Sequence, residues 1–114
     1  MAININRSKY GNKKVQVDGK IFDSLKEAYR YNELKMLQNH GKIQDLKCQV
    51  KFELQPKFKN EITGKTEKAI TYIADFVYTE NGKQVIEDVK GFKTPVYKLK
   101  RKLMAYQGHY IQEI

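Results

Sequence analysis

The chain has 114 residues, with 22 lysines and arginines against 13 aspartates and glutamates, for a formal charge of +9. That length suits one domain able to bury about 65% of its unfolded surface, and the single cysteine, Cys48, excludes an internal disulfide or a cysteine metal cluster. No apolar run nears the roughly 18 residues of a membrane span and the N-terminus lacks the apolar block of a signal peptide, so a cytoplasmic protein is expected; its charge favours a polyanion, nucleic acid foremost.

Residues 1–14 are basic and polar with little periodicity and read as an N-terminal arm, leaving 15–114 as a single domain. Val15 and Val17, Asp18-Gly19, then Ile21 and Phe22 predict a small hairpin. Ser24 with Glu27 three residues on opens a helix that runs until Gly41. Residues 47–58 alternate through Val50, Phe52 and Leu54 until Pro56 marks an edge or bend. Residues 69–79, rich in β-branched and aromatic side chains, predict a buried central strand. Asn81-Gly82, a strong hairpin signal, leads to a third strand over 83–91. Thr94-Pro95 opens a second helix whose apolar stripe reads as Val96, Leu99, Leu103 and Tyr106; Gly108 ends it, and residues 109–114 supply a last strand. The predicted class is α/β, with a mixed sheet and the order helix, three strands, helix, strand after the hairpin.

A two-residue turn at Asn81-Gly82 sets Glu80 against Lys83 and, counted along a uniform register, Asp75 against Asp88. Two facing carboxylates repel, so a positive group is expected between them. Mg²⁺ is the natural candidate, with Mn²⁺ as a substitute, because hard divalent cations take carboxylate oxygens, water and phosphate. Period-two alternation puts Ile86, Asp88 and Lys90 on one face and Val85, Glu87 and Val89 on the other. Asp75, Asp88 and Lys90 thus converge, an arrangement suited to phosphodiester hydrolysis in which a metal polarises the phosphate and the lysine orients water or meets developing charge. The same three residues also suit an ordinary cross-strand ion-pair cluster. Under that reading the basic surfaces alone bind nucleic acid.

Asp75 in YIADF followed by Asp88-Val89-Lys90-Gly91 resembles the D…(D/E)xK pattern of the PD-(D/E)XK nuclease superfamily, with Ala74 where the family name places proline. The strings FDSLKEA, FELQPKF, YIADFVY and VIEDVKGFKT resemble a group of small phage nucleases, DUF1064, over nearly the whole chain from about residue 8. The resemblance implies a restriction-endonuclease-like core and a Mg²⁺-dependent endodeoxyribonuclease acting on branched DNA, in the manner of a Holliday junction resolvase. It also implies a phage-encoded protein working in the bacterial host cytoplasm. One site per chain and two strands to cut then imply a homodimer. Members usually add an acid from the first helix, and Glu27 stands at the matching position. Ser24 and Glu27 also form a capping box, which accounts for the glutamate without catalysis. Glu33 is the alternative, and six residues along a helix turns it about 120° from Glu27.

Lys93, Lys98, Lys100, Arg101 and Lys102 surround the second helix with no acid between 89 and 112, which predicts phosphate contacts. Arg7, Lys9, Lys13 and Lys14 of the arm are a second predicted contact, with Tyr10 available for stacking. Lysine-rich, backbone-directed contacts favour recognition of DNA shape over sequence. His40, His109 and Cys48 read as structural residues. Tyr72, Phe76 and Tyr78 read as packing.

Overall fold

Asp18-Gly19 and Asn81-Gly82 hold positive φ at both positions, 52° and 75° in the first pair and 51° and 77° in the second. This is type I′ geometry, whose twist matches that of paired strands. The computed structural model describes residues 4–7, 13–90 and 92–114, with side chains for 14–90 and 92–114. β1 (Asn4–Arg7) pairs antiparallel with β2 (Lys13–Val17), and the Asp18 turn joins β2 to β3 (Lys20–Phe22). The stretch read as an arm therefore carries strand backbone at both ends; four residues are too few for alternation to show in sequence.

Ser24 caps α1 (Leu25–Asn39), its Oγ accepting from the Glu27 amide at 3.1 Å. The helix buries Glu27, Ala28, Tyr31 and Leu34. Tyr31 packs on Phe22 with ring centroids 5.1 Å apart, and its hydroxyl donates to Asp18 at 3.0 Å, fixing the hairpin turn. β4 (Gln44–Gln55) follows, with alternate residues half-buried from Leu46 to Leu54, and stops before Pro56. The small antiparallel pair β5 (Phe58–Lys59) and β6 (Thr66–Glu67) has no counterpart in the sequence expectation. Asn60 holds its turn, with Oδ1 accepting from the Ile62 and Thr63 amides.

β7 (Ile70–Glu80) and β8 (Lys83–Asp88) flank the Asn81 turn, and Thr94 caps α2 (Pro95–Tyr106) through the Tyr97 amide at 3.1 Å. β9 (Ile111–Glu113) pairs parallel to β8, with Ile86 beside Ile111 and Asp88 beside Glu113. The central sheet has the order β4-β7-β8-β9. It is mixed, because β7 and β8 form a hairpin while β8 and β9 run parallel. The chain is a mixed α/β fold with the predicted order of helix, three sheet strands, helix and strand.

The chain divides into two compact units, one running up to Leu46 with Thr79–Lys83, the other comprising Lys47–Tyr78 and Gln84–Ile114. In the first, Val15, Val17, Phe22, Ala28, Tyr31, Leu34 and Ile43 are buried. In the second, Tyr72, Ala74, Val77, Ile86, Tyr97 and Met104 form an apolar cluster packed by Val50, Phe52, Leu54 and Ile111.

Two details of the second unit depart from the sequence expectation. The stripe Val96, Leu99, Leu103 and Tyr106 faces solvent, at 62%, 57%, 38% and 82% exposure, and α2 buries Tyr97 and Met104 instead. Tyr97 can be buried because its hydroxyl reaches Glu113 at 2.7 Å, and a flexible thioether fills irregular space well. The second departure lies in β7. Tyr72 donates its hydroxyl to Asp88 and Tyr78 donates to Glu87. Tyr72 and Tyr78 are an even number of residues apart and would share one face of a regular strand, whereas Glu87 and Asp88 are consecutive and lie on opposite faces. The alternation of β7 therefore changes phase between the two tyrosines, as one extra residue in a strand produces. The run of buried Phe76, Val77 and Tyr78 and the presence of Val77 in the cluster with Tyr72 and Ala74 agree.

Candidate active site

Asp75 lies inside the shifted stretch, so the uniform register that set it directly against Asp88 does not carry through. Its Oδ2 accepts from the Val89 amide at 2.8 Å, the peptide group between Asp88 and Lys90. Asp88 ends β8 at 1% exposure. Its Oδ2 receives the Tyr72 hydroxyl, and its Oδ1 lies 3.4 Å from Lys90 Nζ. A buried carboxylate is costly unless paired and hydrogen-bonded, and these two partners meet that need. Lys90 in turn sits over the Tyr97 ring, 4.5 Å from its centroid, a cation–π contact that holds the ammonium beside Asp88.

The network continues on the far side of Tyr97. Glu113 accepts from the Tyr97 hydroxyl, from Arg101 Nη1 at 2.9 Å and from Lys93 Nζ at 3.1 Å. The Tyr97 hydrogen bond, with help from the two cations, holds the Glu113 carboxyl below its usual range despite partial desolvation. Burial first, and the hydrogen bond to Asp88 second, push the Tyr72 hydroxyl far above its ordinary value; the charge of Asp75 adds to this, so Asp75 lies within electrostatic reach of Tyr72. Tyr97 is raised by burial and by its bond to Glu113. Both phenols therefore remain protonated donors throughout the neutral range.

Lys90 opens onto a cavity of about 320 Å³ lined by Thr71, Tyr72, Ile73, Thr94, Val96, Tyr97 and Lys100. Thus the structure brings Asp75, Asp88 and Lys90 together along one short stretch of sheet, with a lysine-rimmed opening beside them. Glu27 is buried on the first turn of α1, in the first unit, and serves half of the expected capping box through its amide. Glu33 is exposed on the same helix, 3.7 Å from Arg30. Among the described residues, no group of three or more His, Cys, Asp or Glu side chains is gathered as a metal cage.

A family model described as "Protein of unknown function (DUF1064)" matches residues 7–113. The chain belongs to the DUF1064 family. No curated protein and no solved structure matches it. In this DUF1064 chain the basic residues singled out by sequence divide into two groups. Lys93 and Arg101 are tied to Glu113, and Lys14 pairs with Asp23 at 2.9 Å in an exposed bridge of little energetic weight. Lys98, Lys100 and Lys102 have no ion pair among the described residues. Lys9 and Tyr10 lie outside the described residues, as do the side chains of Arg7 and Lys13. Among the described residues, no helix is long and apolar enough to cross a membrane.

In sequence Tyr72 reads as packing, and nothing there singles out Tyr97 or Glu113. The structure makes all three part of the acid–lysine network. A tyrosine in an alternating strand is equally a core residue in sequence, and only the position of a carboxylate across the sheet gives its hydroxyl a task. His40 closes α1, its Nδ1 2.8 Å from the Met36 carbonyl oxygen, and His109 packs on Phe52. Cys48 is half-buried in β4.

Proposed function

We propose that this DUF1064 protein is a metal-dependent endonuclease of the PD-(D/E)XK type that hydrolyses phosphodiester bonds in branched or otherwise structured DNA. The observation that carries this reading is the buried Asp88 with Lys90 two residues on, and Asp75 bound to the peptide group between them. A hydrophobic core has no need of that arrangement, and a site for phosphate chemistry does. Two carboxylates supply the oxygen donors that a hard divalent cation such as Mg²⁺ or Mn²⁺ takes together with water and substrate phosphate, so the donor chemistry fits. Asp75 and Asp88 are the residues that would hold it. Once bound, such an ion polarises the phosphate and acidifies water.

The chain's own groups take definite parts. Tyr72 fixes the Asp88 carboxylate by donating to Oδ2. Lys90, held between Asp88 and the Tyr97 ring, orients the attacking water and stabilises charge that develops on the phosphate. Lys100, on the rim of the same cavity, attracts the backbone of the strand. Glu27 enters through the family resemblance, and its part is tested by substitution. The wider reading, also from the resemblance, is a homodimer that cuts two strands of a junction in the host cytoplasm of a phage.

One observation favours a second reading. Lys90 already balances Asp88, so the buried acid is neutralised without metal, as in a purely binding module. The deciding experiment cuts labelled four-way junction, flap and linear duplex in parallel, with Mg²⁺ or chelator, using the wild type, Asp88→Asn, Lys90→Ala and Glu27→Gln. Metal-dependent cutting that disappears in Asp88→Asn and Lys90→Ala while DNA binding persists is expected. Binding indifferent to chelator with no cutting of any substrate would overturn the nuclease reading in favour of the binding module.

A further inference from the structure

A second and larger cavity, of about 560 Å³, is lined by Lys98, Arg101 and Lys102 of α2 together with Ala105, Tyr110 and Ile111. Arg101 lies 5.7 Å from the Tyr97 ring centroid, as Lys90 does at 4.5 Å from its own direction. The lining contains three cations and no acid. Glu113 accounts for the charge of Arg101, but Lys98 and Lys102 have no ion pair among the described residues, so the cavity has an uncompensated positive rim. Its floor is apolar, from Ala105 and Ile111. Its outer wall is Tyr110, a ring 74% exposed.

A ligand matched to this site must carry negative charge for the rim and a flat apolar face for the floor and ring. A bare anion would leave the floor and Tyr110 without partners, and an apolar ligand would leave the lysines without theirs. A nucleotide has both features in one unit, and a cavity of this size lies in the range that holds a small organic ligand. We infer that this cavity binds one nucleotide of a single-stranded segment, with Lys98 and Lys102 on its phosphate and Tyr110 stacked on its base. Aromatic stacking of this kind tolerates any base, because every base has a π face. The site lies in the same unit as Asp88 and Lys90. This deepens the nuclease reading and rests on it in taking the bound strand to be part of the substrate: that substrate must present at least one unpaired base.

Binding is measured by fluorescence anisotropy of a labelled single-stranded oligonucleotide in chelator, so that no cleavage intervenes, over a series of salt concentrations. The variants are Tyr110→Ala, Tyr110→Phe and Lys98→Ala with Lys102→Ala, each first checked for wild-type melting; all three positions are exposed. Tyr110→Ala should weaken binding by about tenfold without changing the salt slope, and should leave binding to an abasic strand unaltered. Tyr110→Phe should retain wild-type affinity. The double lysine variant should weaken both strands and lower the salt slope by about 0.7 per lysine lost. Unchanged affinity in Tyr110→Ala, or equal loss on intact and abasic strands, would overturn the inference. So would a Tyr110→Ala variant that loses binding to anionic lipid vesicles and keeps the oligonucleotide. Cleavage by the Asp88→Asn variant at the wild-type rate, with Tyr110-dependent binding intact, would remove the catalytic reading and leave the pocket; the reverse pattern would remove the pocket alone.

Discussion

Glu87 and Asp88 are neighbours in sequence, both almost wholly buried, and each receives a tyrosine hydroxyl, from Tyr78 and Tyr72 respectively. They lie on opposite faces of β8. On the Asp88 side the chain supplies a lysine two residues on, an aromatic ring beneath that lysine, and a cavity onto which lysine and ring both open. Burial with a phenolic partner is therefore a structural device that this sheet uses twice. On the Asp88 side a cation and an opening are present as well. Lys90 is the residue that makes the Asp88 side a candidate reactive centre.

The sharpest way to break this comparison is to remove the charge from each acid in turn. Asp88→Asn should lower metal-dependent cleavage by about a thousandfold, the scale of losing one electrostatic contributor to a transition state, whereas Glu87→Gln should leave it within a few-fold. Equal losses in the two variants, measured by initial cleavage rates, would mean that both effects are structural.

The next largest effect concerns the support of the Asp88 side. Met104→Ala empties a fully buried position in the cluster that contains Tyr72 and Tyr97, and should cost about 3 kcal/mol in denaturant unfolding. Leu103→Ala, on the solvent-facing stripe of the same helix, should cost about 0.5 kcal/mol. Reversed magnitudes would return α2 to the orientation expected from its sequence.

Tyr72→Phe leaves the Asp88 carboxylate one donor short and should cost about 1.5 kcal/mol at neutral pH. It also has a signature in alkali. Because the Tyr72 hydroxyl is raised in the folded state, its contribution is complete below the ordinary tyrosine value of about 10 and is lost as pH rises above it. Wild-type melting temperature should fall more steeply than that of Tyr72→Phe between pH 9 and pH 11, a range set by that ordinary value of about 10.

The smallest effect is on the acid side. Glu113 is held below the usual carboxyl range, so its contribution is present above about pH 4.3 and lost as pH falls through its lowered folded value. Glu113→Gln should make the acid limb of a stability curve shallower and leave the Asp88 centre's cleavage within a few-fold at neutral pH.

Much of the frame is legible from local chemistry. Asp18-Gly19 and Asn81-Gly82 specify type I′ turns because few other residues accept positive φ at both positions, and Ser24 and Thr94 specify helix starts because their oxygens accept the amides left unpaired there. The expected strand over 83–91 stops at Asp88, so the strand period does not reach Lys90, yet the DxK spacing still brings the lysine back to the carboxylate within three residues. Each of these depends on groups a few bonds apart, which is why sequence alone determined the order of the main helices and strands, the hairpin turns and the acid–lysine pair.

Tertiary structure alone decided which side of α2 is buried, because Val96, Leu99 and Leu103 offer as much apolar surface as Tyr97 and Met104, and the choice turns on Glu113 meeting the Tyr97 hydroxyl from another element. It also decided the phase of β7. An extra residue in a strand leaves no local mark in composition, yet it moves Tyr72 to the Asp88 side, binds Asp75 to the Val89 amide, and so sets which donors surround the buried acid. Those outcomes are contests between distant groups for the same partner, and only packing resolves them.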